Sequence, residues 1–119
     1  MSNHQQLLES LISETTGSLC AALVDSNSGM ILASAGSGLD LEIAAAGNTE
    51  VVRAKLKTMK LLGVKDQIDD ILITLGKQYH ILCPISRFEG VFVYFVLDRS
   101  QANLALARRM VHETGERLD

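Results

Sequence analysis

Along the chain the spacing of apolar residues switches back and forth between two periods. Leu7, Leu8, Leu11 and Ile12 recur at helical spacing and the run stops at Gly17, which predicts an amphipathic helix over residues 3–16 ended by glycine. SLCAALVD (18–25) and MILASA (30–35) are strand-like runs, and the SNSG between them has the serine, asparagine and glycine of a tight reversal, so the two form a hairpin. The longest helical pattern, LDLEIAAAGNTEVVRAKLKTMKLL, covers residues 39–62 with Asp40 placed as its N-cap. Gly47 and Asn48 weaken that helix without breaking it. IDDILITL, YHILCPI and VFVYFVL then follow as a meander of strands joined by GKQ and RFEG. In VYFVLDRSQANLALARRM (93–110) the apolar run gives way to the helical spacing of Leu104, Ala107, Met110 and Val111. Asp98 with Gln101 three positions later has the form of a capping box, which places the start of the last helix near residue 100.

The kind of apolar run says where each strand sits. Residues 19–24 and 91–97 are apolar without alternation, as strands covered on both faces are, whereas QYHILC and IDDILIT carry polar groups that suit outer positions. Strands one and five are therefore expected as central neighbours. With a hairpin on one side and a meander on the other, the simplest arrangement is an antiparallel sheet of order 2-1-5-4-3 with helices on both faces. The expected fold class is an α/β three-layer sandwich of topology α-β-β-α-β-β-β-α, formed by residues 1–119 as a single domain.

The second helix has more apolar surface than one sheet face can cover. Leu41, Ala44, Ala45, Val51, Val52, Leu56, Met59 and Leu62 form a broad stripe, with Ile43, Gly47, Ala54 and Leu61 in another beside it. The first stripe suits the sheet. The second lacks a partner, because the other helices belong on the opposite face, and it points to self-association. Arg53, Lys57 and Lys60 share a further face as a basic ridge suited to an acidic partner surface, although a merely solvated face would look the same.

Composition removes several classes of function. A net charge of −3 with only Tyr79, Tyr94, Phe88, Phe92 and Phe95 as aromatics argues against nucleic-acid binding by charge and stacking. No run approaches membrane-spanning length and the N-terminus lacks the character of a signal peptide, so no membrane insertion and a cytoplasmic location are expected. Cys20 and Cys83 lie in apolar runs without metal-ligand spacing and are expected as buried thiols. His4, His80 and His112 fall on three different elements and are expected as surface or packed histidines. Asp69 and Asp70 adjoin where side chains alternate, so they cannot act together on one substrate and are expected to blunt an edge strand. Gly36 and Gly38 stand where a dinucleotide fingerprint would, but Leu41 replaces its third glycine, and no phosphate-binding GxxxxGK[ST] occurs. Arg53, Arg99, Arg108 and Arg109 could each be imagined as an arginine supplied in trans to a phosphoryl-transfer site, and nothing selects one. No catalytic residue, cofactor or metal is assigned.

The element order, together with AALVDSNSGMILASAG, ILITLGKQYHILCPI and especially FVYFVLDRSQANLALARRM, resembles the Roadblock/LC7 family over nearly the whole chain. That resemblance implies a homodimer, or a heterodimer with a related chain, in which second helices and third strands meet. The seam would then hold Ile43, Gly47, Ala54 and Leu61 with Ile71 and Ile73. It also implies a regulator or scaffold and not an enzyme, binding a small Ras-like GTPase through a surface for which Arg53, Lys57 and Lys60 are the candidates. The alternatives are a structural light chain without a GTPase link and, less favoured, a PAS-like or GAF-like small-molecule sensor.

Overall fold

The computed structural model describes residues 3–118. The elements run α1 (His4–Glu14), β1 (Ser18–Asp25), β2 (Met30–Gly36), α2 (Leu41–Leu62), β3 (Ile71–Thr74), β4 (Gln78–Pro84), β5 (Val91–Asp98) and α3 (Leu104–Arg117). The five strands form one antiparallel sheet of order β2-β1-β5-β4-β3, as the sequence predicts. α2 packs on one face over β1 and β2, and α1 and α3 pack on the other. Among the described residues no helix is long and apolar enough to cross a membrane.

β5 shows why its sequence lacks alternation. Phe92, Tyr94 and Val96 enter the core beneath α2, while Val93, Phe95 and Leu97 enter the core beneath α1 and α3. Both sets are buried, and each fully covered large side chain contributes roughly 2 kcal/mol relative to exposure. The neighbouring strand makes room for the rings, since Ala21 lies opposite Phe95 and Ala22 opposite Tyr94. The first hairpin closes as expected. Asp25 accepts from the Asn27 amide at 2.9 Å through its side chain, and the Gly29 amide donates to the Asp25 carbonyl at 2.7 Å.

Two helix boundaries differ from the expectation. α1 ends at Glu14 because Thr15 turns extended and its carbonyl takes both the amide and the hydroxyl of Ser18. Gly17 is not the cap. It sits at φ 86° where a side chain would meet the Ala102 backbone nitrogen at 2.8 Å, and its carbonyl receives the Asp98 amide. α3 starts at Leu104, not near residue 100, because Asp98 closes a separate turn. Its carboxylate accepts from the Ser100 amide at 2.9 Å and the Ser100 hydroxyl at 2.7 Å, and Asn103 caps the helix by accepting from the Leu106 amide at 3.1 Å.

The two sheet edges are treated differently. On β2 the Gln5 side chain donates to the Ser34 carbonyl at 2.6 Å and accepts from the Ser34 amide at 3.4 Å, so a side-chain amide from α1 stands where another strand would pair. β3 has β4 as its only neighbour in the sheet.

Gly36 belongs to this architecture and not to a phosphate loop. It lies at φ 81° against β1, where a side chain would collide with the Leu19 carbonyl oxygen and stand 2.7 Å from the Cys20 Cα. Gly63 is also left-handed, at φ 73°, but faces open space. Gly63→Ala should therefore cost roughly 1 kcal/mol of backbone strain, and Gly36→Ala more than about 3 kcal/mol once the collision is added. Urea denaturation of the two variants checks the order.

Candidate interaction surface

α2 is fixed at both ends before it meets the sheet. Asp40 accepts from the Ile43 amide at 3.2 Å, and at the other end Gly63 takes the left-handed conformation while the Val64 amide returns to the Met59 carbonyl at 2.9 Å. Ala45, Thr49 and Val52 form its buried line. On one flank of that line Asn48 approaches the Tyr94 phenol of β5, and on the other Ala46 and Thr49 face the turn at Gly29. At about 100° per residue, Leu62 and Val51 continue the Asn48 flank towards the β5-β4-β3 half of the sheet, while Gly47, Ala54, Ile43 and Leu61 lie on the outer face of the helix, roughly opposite the buried line. Ile43 is 71% exposed, Leu61 78% and Leu62 70%. Val51 and Leu62, expected on the sheet-facing stripe, thus belong to the uncovered flank, because the sheet beneath α2 is narrower than the stripe. Leu56, also expected there, remains about half exposed.

The floor beside this flank is the same face of β3 and β4. Ile71 and Ile73 stand half-buried there, opposite Leu82 and His80. His80 is a packed histidine. Its Nδ1 meets the Tyr94 hydroxyl at 2.9 Å and its Nε2 meets the Gln78 side-chain oxygen at 2.8 Å, while burial lowers its pKa and favours the neutral ring. Burial, reinforced by the nearby Cys20, pushes Tyr94 up to about 12 although the Asn48 amide works the other way.

Of the residues expected in a seam, Ile71 and Ile73 stand half-buried on this floor, while Ile43, Gly47, Ala54 and Leu61 lie on the exposed outer face of α2. Arg53, Lys57 and Lys60 are exposed on the Thr49 flank, with Lys57 about 40° around the helix from Ile43 and Leu61. The remaining arginine candidates are engaged within the fold. Arg99 lies 5.6 Å from the Tyr79 ring centroid and donates to the Leu75 carbonyl, Arg109 pairs with Glu113 on its own helix, and Arg108 pairs with Asp70.

Asp70 corrects the expectation that it blunts an edge. It precedes β3, its side chain is only 5% exposed, and it receives Arg108 at 3.0 to 3.2 Å and meets His112 Nε2 at 2.7 Å. His112 Nδ1 in turn stands 3.6 Å from the Cys83 sulfur. Asp69 is exposed beside it. Sequence reasoning missed this group because Asp70 lies 38 and 42 residues from its partners; the only local sign was Arg108 and His112 four positions apart on one helix face. Among the described residues no three His, Cys, Asp or Glu side chains converge as metal ligands.

No family model matches the chain, and no curated protein matches it in sequence. Solved structures do match its shape. It superposes on Myxococcus xanthus MglB with a TM-score of 0.84 at 19% identity, covering 98% of this chain and 91% of the other. A Roadblock/LC7 domain from Streptomyces avermitilis gives 0.82 at 12% identity over 94% of this chain and 91% of its own. An MglB described with a tetrameric arrangement gives 0.82 at 21% identity, over 97% and 84%. The fold is that of the Roadblock/LC7 domains. In this Roadblock/LC7 fold, α2 lies on one side of the sheet and the Asp70 cluster on the other.

Two of the three raised groups, Cys83 and Tyr94, give a direct test of the packing. Burial, with the charges of Asp70 and then Asp69, pushes Cys83 up to about 12 from 9.0, and Tyr94 rises to about 12 from 10.0. Both hold their protons more tightly in the folded chain, so their effect on stability is nil below pH 9 and destabilising as pH rises from 9 to 12, where the unfolded chain ionises first. Denaturation midpoints should be level up to pH 9 and fall above it, and Cys83→Ser should make the fall between pH 9 and 10 shallower.

Proposed function

We propose that the chain is a non-catalytic Roadblock/LC7-type regulator or scaffold that works as a dimer and binds a small Ras-like GTPase. The observation that carries the dimer is the uncovered apolar flank of α2 standing beside the unpaired edge of β3, while the opposite edge is occupied by Gln5. Placing α2 of a second copy against the outer face of α2 would cover Ile43, Ala54 and Leu61, and pairing β3 with its own copy would continue the sheet. Gly47 favours the approach, since a side chain there would meet nothing within 4 Å in the protomer and its absence lets another helix come close. A heterodimer with a related chain would use the same surfaces. The tetrameric arrangement described for one MglB neighbour is in keeping with self-association in proteins of this fold.

The GTPase reading rests on the family resemblance, most specific over residues 92–110, and on the placement of Arg53, Lys57 and Lys60. They lie on the Thr49 side of α2, with Arg53 and Lys60 farthest from the apolar outer face, a basic ridge on a chain of net charge −3. Dimerisation doubles that ridge and gives it reach towards an acidic surface.

Leu61→Asp combined with Ala54→Arg should convert a dimer into a folded monomer in analytical ultracentrifugation, with helix content unchanged by circular dichroism; a dimer of unaltered stability refutes the seam. Arg53→Glu with Lys57→Glu should leave the dimer intact and weaken capture of a small GTPase from native extract by about ten-fold or more, in line with loss of electrostatic steering. Capture that is nucleotide-independent and indifferent to the charge reversal leaves a scaffold without a GTPase link.

A further inference from the structure

Cys83, His112 and Asp70 form a connected chain of a thiol, a ring and a carboxylate beneath α3. The Cys83 sulfur stands 3.6 Å from His112 Nδ1, and His112 Nε2 lies 2.7 Å from an Asp70 oxygen that Arg108 also holds. The carboxylate fixes the tautomer. With the Nε2 proton directed to Asp70, Nδ1 is left as an acceptor for the Cys83 S–H. A nucleophile, a base within reach and a third group orienting the base are the components that activate a thiol.

This arrangement is open to a small molecule. A cavity of about 340 Å³ is lined by Cys83 and His112 with Gln67, Ser86, Arg87 and Glu116. It is large enough for a small reagent, yet Cys83 is only 3% exposed, so access to the sulfur is narrow. The cavity wall carries the guanidinium of Arg87 beside the carboxylates of Asp69 and Glu116, a mixture of charges that selects neither anions nor cations. A small uncharged electrophile fits these conditions.

We propose that Cys83 is a modification site, oxidised to a sulfenic acid by hydrogen peroxide entering this cavity, with His112 as the base. The resting group is the neutral thiol, since burial and the two aspartates push it up to about 12. Prior ionisation is not required when a fixed base takes the proton during attack. The Cys83 sulfur attacks one peroxide oxygen as its proton passes to His112 Nδ1. The O–O bond breaks, and the departing hydroxide takes that proton and leaves as water. Sulfur has lost two electrons, peroxide has gained them, and His112 is neutral again. Proton transfer also creates its ion pair beside the existing Asp70 and Arg108 pair and not in a purely apolar setting.

Cys20 provides an internal comparison. It is fully buried in the core on the other face of the sheet, its thiol is raised by burial, and among the described residues no histidine bonds to it. The opposite placement of the two sulfurs also means that the product is a sulfenic acid and not a disulfide within the chain.

The native protein is treated with hydrogen peroxide in the presence of dimedone, and adducts at the two cysteines are followed by peptide mass spectrometry. Cys83 should label at least about ten-fold faster than Cys20, and His112→Gln should slow Cys83 by a similar factor while Cys20 is unaffected. Equal rates at the two cysteines in the native wild type overturn the proposal, as does an unchanged Cys83 rate in a folded His112→Gln protein. If that variant does not fold, the comparison of the two thiols in the wild type decides.

Discussion

Pairing of β1 with β5 through the centre of the sheet is the constraint on which the rest of the molecule depends. Both strands are buried on both faces, so neither can tolerate an unpaired backbone group, and each needs its ladder satisfied from end to end. Ala21 and Ala22 meet Phe95 and Tyr94 in register, and that match of small with large lets two aromatic side chains enter opposite cores from adjacent positions on one strand. A slip by one residue would exchange the two faces of β5 and bring bulky residues against the wrong helices. Once this pair is set, the hairpin carries β2 to one side, the meander carries β4 and β3 to the other, and the helices have defined faces to cover.

Much of this was legible in the order of residues. Unbroken apolar runs marked the central strands, the polar positions in QYHILC and IDDILIT marked the outer ones, and short turns left few topologies to choose from. The excess apolar flank of α2 was visible too, because helical periodicity is local information. Boundaries were less legible where two polar residues competed for the same task. Asp98 has the spacing of a cap for α3, but Ser100 consumes its carboxylate and the close approach of Gly17 to Ala102 keeps the intervening segment non-helical. Asn103, without a glutamate or glutamine three residues later to advertise it, is the residue that caps.

The Asp70 cluster could not have been read in advance, for a different reason. Its members come from the approach to β3, from β4 and from α3, and nothing in the spacing of Asp70, Cys83, Arg108 and His112 implies that they meet. Their meeting follows from the order of the outer strands, which places the approach to β3 and the end of β4 under the same part of α3. α2 and the cluster consequently lie on opposite sides of the sheet, and β3 is tied to α3 through Asp70.

Gln5 on the edge of β2 has a consequence for the size of any assembly. A sheet with two free edges can be extended at either end, so each copy added offers a new place for the next, and growth has no natural end. Here the side-chain amide of α1 already occupies the backbone of Ser34, leaving β3 as the open border. A unit with one adhesive border can be joined once by a two-fold operation, after which both such borders are consumed. If copies join through the sheet, a glutamine set on the β2 edge favours a closed pair over a fibre.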